Sequence, residues 1–369
     1  MTRRRIAIVF GGRSAEHEIS CISARSVVEA LDPTRFEVVP IGVDKDGRWL
    51  RLPSVPALAG AEAPLPFVAG DAGPGIALSQ EPGDARLVPT DGSGGDEPFD
   101  VVFPLIHGPH GEDGTIQGLL EMADVPYVGA GVLGSAVGMD KAIQKVLLEA
   151  DGIAVVPYSV VHERDWRDDP EAATAQGEAH GYPVFVKPAN LGSSVGITKV
   201  HDAAEFEPAM EEAFRYDVKV VIEKGLEGIR EIECAVLGND EPVASLPGEV
   251  VPSGEFYDYR AKYLDESSEL HIPADLPTGV VDDVQRMAVR AFQAIDCAGM
   301  ARVDFFLGNG GELWVNELNT IPGFTSISMY PKLWEASGVP YAELLERLID
   351  LAVDRSERER KKGRTLPAP

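Results

Sequence analysis

The feature that most constrains this chain is an apolar run that ends in two glycines and passes directly into an amphipathic stretch. In RRRIAIVFGG, five consecutive apolar residues, 6–10, read as a buried strand, and Gly11–Gly12 as the turn that ends it. The following SAEHEISCISARSVVEAL carries its apolar residues on one stripe at helical spacing. FEVVPIGVDKDGRWL then reads as a strand with a hairpin-like turn, FDVVFPLIHG as another buried strand, and EDGTIQGLLEMAD as a helix. Strands that alternate with helices predict an α/β domain with a parallel sheet, closing near Gly129. Residues 53–97, rich in Pro, Gly, Asp and Ala, interrupt it as an irregular insertion with one short hairpin.

Further along, SAVGMDKAIQKVLLEADGI is helical. PVFVKP, ITKV and VKVVIEKGL are short strands around the helix AAEFEPAMEEAF, which makes a small α+β lobe. A third region has strands REIECAVLGN and EPVASLPGEVV, a polar and aromatic loop, a helix over 278–296 and the strands MARVDFFLG and ELWVNELN. A last helix dissolves into a charged tail with no assigned chemistry.

Composition excludes several classes of function. At 369 residues and 44% apolar, the chain can bury a large core and divides into two or three domains. A formal charge of −27 repels a phosphate backbone, so nucleic acid is not an expected partner. No apolar run approaches the roughly 20 residues that span a bilayer, and the N-terminus shows no cleavage site, so no membrane is expected and the cytoplasm is the expected location. Three separated cysteines without a CxxC pair fit reduced, buried thiols rather than zinc or disulfides.

Two constellations carry chemistry. In MARVDFFLGNGGELWVNELNTIPGFT, residues two apart on a strand share a face, so Arg302 with Asp304 and Glu317 with Asn319 present one polar surface on a hairpin. A solvated sheet face is the bland alternative; oxygen ligands without His or Cys suit Mg²⁺ completed by nucleotide phosphates. In PVFVKPANLGSSVGITKV, Lys187 precedes Gly192, Ser193, Ser194 and Gly196, the reverse of a P-loop. An ammonium at the end of an apolar strand is costly unless an anion meets it, and the Gly/Ser turn offers N–H and hydroxyl donors. VVIEKGLEG ends in Glu223 and Lys224, a hinge edge that suits a purine through main-chain groups.

The order of these parts, from Lys141 opening a helix to NELNTIPG, resembles the ATP-grasp superfamily. VFGGRSAEHEIS, HGPHGEDGTIQG, GMDKAIQK, VKPANLGSSVG, GEFYDYRAKY and NELNTIPGFTSISMYP resemble the motifs of the D-alanine:D-alanine ligase family, over residues 10–331. The resemblance implies a mixed α/β and α+β ATP-grasp fold in three domains with an N-terminal Rossmann-like parallel sheet. These are 1–129 on the first-substrate side and at a homodimer contact, 130–223 as the central lobe, 224–360 as the catalytic domain, and 361–369 as the tail.

It also implies ATP held between two antiparallel sheets. Lys141 and Lys187 would meet the α- and β-phosphates, and the loop with Ser193 and Ser194 would close over them. Glu223, Lys224 and Leu226 would hold adenine, Glu231 or the nearby Glu227 the ribose, and Asn316 would belong to the nucleotide site. Asp304, Glu317 and Asn319 resemble the ligands of two Mg²⁺ ions, or of Mn²⁺ in their place. The implied reaction attacks the γ-phosphate with a D-alanine carboxylate, then the acyl phosphate with a second D-alanine amine. Lys187 and Lys262 suit the γ-phosphate, and Arg302 with the Gly323 N–H the oxyanion. Glu16 would pair with the first ammonium, with His107 near it, and Ser328 and Met329 would line the second site. Tyr257, Lys262 and Tyr263 would face inward from a loop that excludes water, Tyr263 bonding to Ser193 and Glu16. Two rival readings are a D-alanine:D-lactate ligase and a catalytically silent nucleotide-binding regulator.

Overall fold

The computed structural model describes residues 3–56, 65–79, 81–92, 98–192, 194–251, 269–325 and 327–362. Its first sheet is built from β1 (Arg4–Gly11), β2 (Phe36–Val43), β3 (Trp49–Arg51) and, after a two-stranded hairpin of β4 (Ile76–Leu78) and β5 (Leu87–Pro89), β6 (Val101–Pro104). The strand order is β3-β2-β1-β6, with β1 parallel to both neighbours and β3 antiparallel to β2. The unbroken apolar run of β1 follows from burial on both faces. Ile6, Ile8 and Phe10 enter one core cluster, while Ala7 and Val9 enter another.

Gly11 is required where β1 ends. Its φ is +91°, and a Cβ there would stand 2.3 Å from the Val43 carbonyl oxygen. That turn feeds α1 (His17–Ala30), which packs on β1. The second helix, α2 (Thr115–Met122), covers the opposite face with Ile116 and Leu120. The described part of the 53–97 insertion is less irregular in its packing than its composition implies. Val68 joins the cluster of Ile6, Ile76 and Leu87 join that of Val9, and the Val68 N–H donates to His17 Nε2 at 3.0 Å.

The helical segment that follows is two helices, α3 (Val132–Met139) and α4 (Lys141–Ala150). Asp140 breaks it, its carboxylate accepting from the Ala142 and Ile143 N–H groups as an N-cap. An antiparallel sheet comes next, from β7 (Tyr158–His162), β8 (Val184–Pro188), β9 (Thr198–Val200) and β10 (Lys219–Lys224), in the order β7-β10-β8-β9. Helices α5 (Glu163–Asp168), α6 (Pro170–His180) and α7 (Ala203–Phe214) cover its back. Helix α6 carries no strong apolar stripe in PEAATAQGEAH, which is why periodicity alone misses it.

The last sheet joins β11 (Arg230–Gly238), β12 (Val243–Ala244), β13 (Gly248–Val251), β14 (Glu269–His271), β15 (Gly299–Leu307) and β16 (Leu313–Asn319), with β14-β13-β11-β15-β16 as its main order. Helix α8 (Thr278–Ala294) packs against one face through Val284, Ala288 and Phe292. Helices α9 (Met329–Ala336) and α10 (Tyr341–Arg360) wedge between this sheet and the first. Tyr330, Leu344 and Leu348 therefore share one cluster with Ile6, Phe10 and Leu237. Each of these fully buried side chains contributes roughly 1.5–3 kcal/mol, so the first sheet and the last are held by a common core.

Candidate active site

Alternation along the strands turns chemistry into the gap between the second and third sheets. On β8, Val184 and Val186 enter the core while Phe185 and Lys187 line a cavity of about 470 Å³. On β11, Ile232 and Cys234 are core, and Glu231 and Glu233 line the same cavity. On β15, Ala301, Val303 and Phe305 pack beneath the sheet, which leaves Arg302 and Asp304 on its upper face. Register then places Arg302 opposite Asn319, and Asp304 opposite both Glu317 and Glu233.

A shift in register separates the Asp304–Glu317 pair from Phe305–Val315, so Asn316 is an extra residue on β16. Asn316 and Glu317 consequently line the cavity together, where strict alternation would have separated them.

The large cavity collects Lys141, Lys187, Ser194, Glu223, Lys224, Leu226, Glu231, Asp304, Asn316 and Glu317. Glu227 lines it as well, so position alone does not choose between the two carboxylates for a ribose. A smaller pocket of about 60 Å³ adjoins the hairpin and collects Glu16, His107, Arg302, Asn319, Gly323, Ser328 and Met329; Glu233 lines both. Ser193, Tyr257, Lys262 and Tyr263 lie outside the described residues. Their neighbour Gly192 stands beside Glu16, since a Cβ on it would be 3.4 Å from Oε2. The Gly/Ser loop thus reaches the first helix, although some 176 positions separate Gly192 from Glu16 in the chain.

Ion pairing holds the two rims. Arg302 contacts Asp304 through Nε and Nη2, each at 2.7 Å, and Glu233 at 2.9 Å; Asn319 Nδ2 donates to Asp304 Oδ2 at 3.0 Å. Lys141 donates to the Leu191 carbonyl at 2.7 Å and lies 3.3 Å from Glu317 Oε2. Glu223, 1% exposed, is gripped by Lys187 on one oxygen and by Lys145 on the other. Burial alone would push its carboxyl up, but the charges and hydrogen bonds of the two lysines outweigh burial and hold it below the ordinary range. Burial depresses the Lys145 ammonium, against the pull of Glu223.

The smaller pocket has its own cluster. His107 Nε2 is 3.1 Å from Ser23 Oγ, and Nδ1 is 3.7 Å from Glu112. Burial works to lower the His107 pKa; the hydrogen bond and charge of Glu112 and the charge of Glu16 outweigh it, so the imidazole is raised. Burial and the Glu16 charge lift Glu112 above the usual carboxylate range, against its bond with His107. Gly108, with φ +76°, lets the loop after β6 pass this cluster; a Cβ would meet Ser14 Oγ at 2.9 Å and Glu16 Oε2 at 3.1 Å.

Asp304, Glu317 and Asn319 converge on the hairpin, with Asp304 opposite Glu317 and bonded by Asn319 Nδ2. Among the described residues no group of three His, Cys, Asp or Glu side chains could hold a metal by itself. Two carboxylates and an amide are hard oxygen donors that fit Mg²⁺ or Mn²⁺ when phosphates and water complete the shell.

Sequence reasoning missed Lys145, Glu233 and Glu112. Glu233 was within reach, because it follows Glu231 by two on one strand face. Lys145 follows Lys141 by four on one helix face, yet a lysine there reads as solvated. The three cysteines are free and buried, as their spacing implied.

Two antiparallel sheets that face each other across a lysine- and carboxylate-lined cavity, beside a parallel-stranded unit, define an ATP-grasp protein. Family models described as "D-ala D-ala ligase N-terminus" and "D-ala D-ala ligase C-terminus" match residues 5–130 and 147–350. A D-alanine--D-alanine ligase of Heliobacterium modesticaldum is 50% identical over 375 residues, covering 100% of both chains. The D-alanine-D-alanine ligase structure from Coxiella burnetii superposes with a TM-score of 0.84 at 40% identity, covering 98% of this chain and 97% of that one. The VanG D-Ala:D-Ser ligase of Enterococcus faecalis gives 0.81 at 35% identity, covering 95% and 100%. The chain belongs to the D-alanine–D-alanine ligase family.

Proposed function

We propose that this protein joins two D-alanine molecules into D-alanyl-D-alanine while ATP becomes ADP and phosphate. The observation that carries the reading is the Arg302–Asp304–Asn319 hairpin, which stands between a cavity lined by Lys141 and Lys187 and a small pocket lined by Glu16 and Ser328. ATP occupies the large cavity with its phosphates toward Lys141 and Lys187, and residues 1–129 supply the first-substrate side through Glu16.

The carboxylate of the first D-alanine, its ammonium paired with Glu16, attacks the γ-phosphate and ADP leaves. Phosphoryl transfer depends mainly on charge neutralisation, which the lysines provide. Asp304, Glu317 and Asn319 would hold Mg²⁺ or Mn²⁺, which supplies further neutralisation of the phosphates. The amine of the second D-alanine then attacks the acyl carbon, Arg302 and the Gly323 N–H stabilise the oxyanion, and phosphate departs. His107 lies beside Glu16 and orients the first substrate, while Ser328 and Met329 border the second. Tyr257, Lys262 and Tyr263 close the site against water, Lys262 toward the γ-phosphate. The dipeptide suits peptidoglycan precursor synthesis in the cytoplasm, and the family resemblance supports a homodimer formed through the first domain.

The VanG D-Ala:D-Ser ligase shares the fold, so side chains near the second site, rather than the scaffold, choose the acceptor. The test is phosphate release from ATP and Mg²⁺ with D-alanine alone, L-alanine alone, or D-alanine plus D-lactate or D-serine, with product identification. D-Alanine alone yields dipeptide and L-alanine does not. Equal rates with both enantiomers, or a D-lactate ester or D-serine product in preference to the dipeptide, overturn the assignment.

A further inference from the structure

Buried between the second sheet and α4 is a row of three charged side chains: Lys145, Glu223 and Lys187. The outer two ammoniums each hold a different oxygen of the middle carboxylate. Their exposure differs in a way that matters. The Lys145 side chain is 2% exposed and does not line the nucleotide cavity, whereas that of Lys187 is 11% exposed and does. Lys145 is also fixed from other sides, with Nζ 3.4 Å from the Asn316 carbonyl and 5.7 Å from the centre of the Tyr158 ring.

We propose that Lys145 is a positioning residue for nucleotide binding: it keeps Glu223 neutralised so that Lys187 can leave that carboxylate for a phosphate. The proposal rests on the reading of the large cavity as an ATP site. The Lys187 ammonium donates to the Glu223 carboxylate. A phosphate that recruits Lys187 takes one cation from a carboxylate that is 1% exposed, and an unpaired buried carboxylate is strongly disfavoured. Lys145 remains behind as the second cation, and its approach from below the cavity floor means that it never competes with the ligand. Without it, Glu223 would hold Lys187 alone, and each phosphate would have to win the ammonium from a buried counter-ion. Lys141 does not substitute, because its ammonium is turned to Leu191 and Glu317.

The experiment measures ATP binding by calorimetry on the full chain without D-alanine, together with steady-state kinetics. For Lys145→Met the dissociation constant and KM for ATP rise about 10- to 100-fold, the size of one charge-assisted hydrogen bond lost to competition. The D-alanine KM is unchanged, and kcat at saturating ATP stays within about threefold, the pattern of lost ground-state binding. Adding Glu223→Gln removes the charge that traps Lys187, so Lys145→Met weakens ATP binding by no more than about threefold when it is measured against Glu223→Gln alone, whatever Glu223 itself contributes to holding the adenine. A merely structural lysine gives a lower melting temperature with parental ATP affinity in the folded fraction, and that result overturns the proposal. If Lys145→Met does not fold, the double variant is compared with Glu223→Gln: folded but binding ATP more than about tenfold more weakly than Glu223→Gln alone, it overturns the proposal. A parent enzyme that binds no ATP instead refutes the assignment of the cavity.

Discussion

Gln144→Leu removes the amide that finishes the edge of the last sheet. Strand β16 is the outermost strand of its sheet, and its Leu318 lies between Glu317 and Asn319. Among the described residues no strand pairs with β16 on that side at Leu318; the fully buried Gln144 of α4 does so. Its Oε1 accepts the Leu318 N–H at 3.1 Å, and its Nε2 donates to the Leu318 carbonyl at 3.3 Å and to the Gly138 carbonyl at 2.8 Å. Leucine has nearly the same volume, so the packing term is small and the loss is polar. Two well-formed partners are orphaned at about 1–3 kcal/mol each, and the longer contact adds less, for a total of about 3–5 kcal/mol. Urea unfolding followed by tryptophan emission measures this, with Trp314 on the same strand as a reporter. Turnover should fall as well, because Glu317 and Asn319 lose their backbone anchor. A loss below about 1 kcal/mol at an unchanged slope would mean that the amide contributes no more than an ordinary exchange of hydrogen bonds with water, and would refute the argument.

Other expectations are simpler. Glu317→Ala should reduce turnover more than Asn319→Ala and respond less to added Mg²⁺, because it removes a charged rather than a neutral oxygen donor; parental turnover of either variant at low Mg²⁺ returns the hairpin to a polar sheet face. Arg230 meets Glu249 through two contacts at 2.7 and 2.6 Å, and this hydrogen bonding holds the Glu249 carboxyl below the ordinary 4.5. A depressed carboxyl contributes stability above its unfolded value and loses it as pH falls through the folded one. The stability difference between the parent and Glu249→Gln should therefore be constant above pH 4.5 and shrink below it; a difference that grows on acidification contradicts the sign.

The sequence by itself determined the first sheet and the faces of most strands. Burial on both sides leaves an unbroken apolar run such as residues 6–10, and a one-sided strand leaves alternation, so Arg302 with Asp304 and Glu317 with Asn319 could be placed on one hairpin face from the sequence. Motif order carried the remaining site residues, with the loop around Tyr263 beyond what the structure describes. Only the tertiary structure decided α4. Its inward face is Lys141, Gln144 and Lys145, while Ile143 and Val146 are 45% and 51% exposed, the reverse of what an apolar stripe predicts. The inversion is stable because three partners wait inside that no local pattern encodes: the Glu223 carboxylate, the Leu318 N–H and carbonyl at the edge of β16, and the Leu191 carbonyl. The bulge at Asn316 and the core shared by the first and last sheets have the same origin. Local sequence sets which side chains lie together on an element, but which face is inward depends on whether distant segments offer charges and hydrogen-bonding groups that repay desolvation.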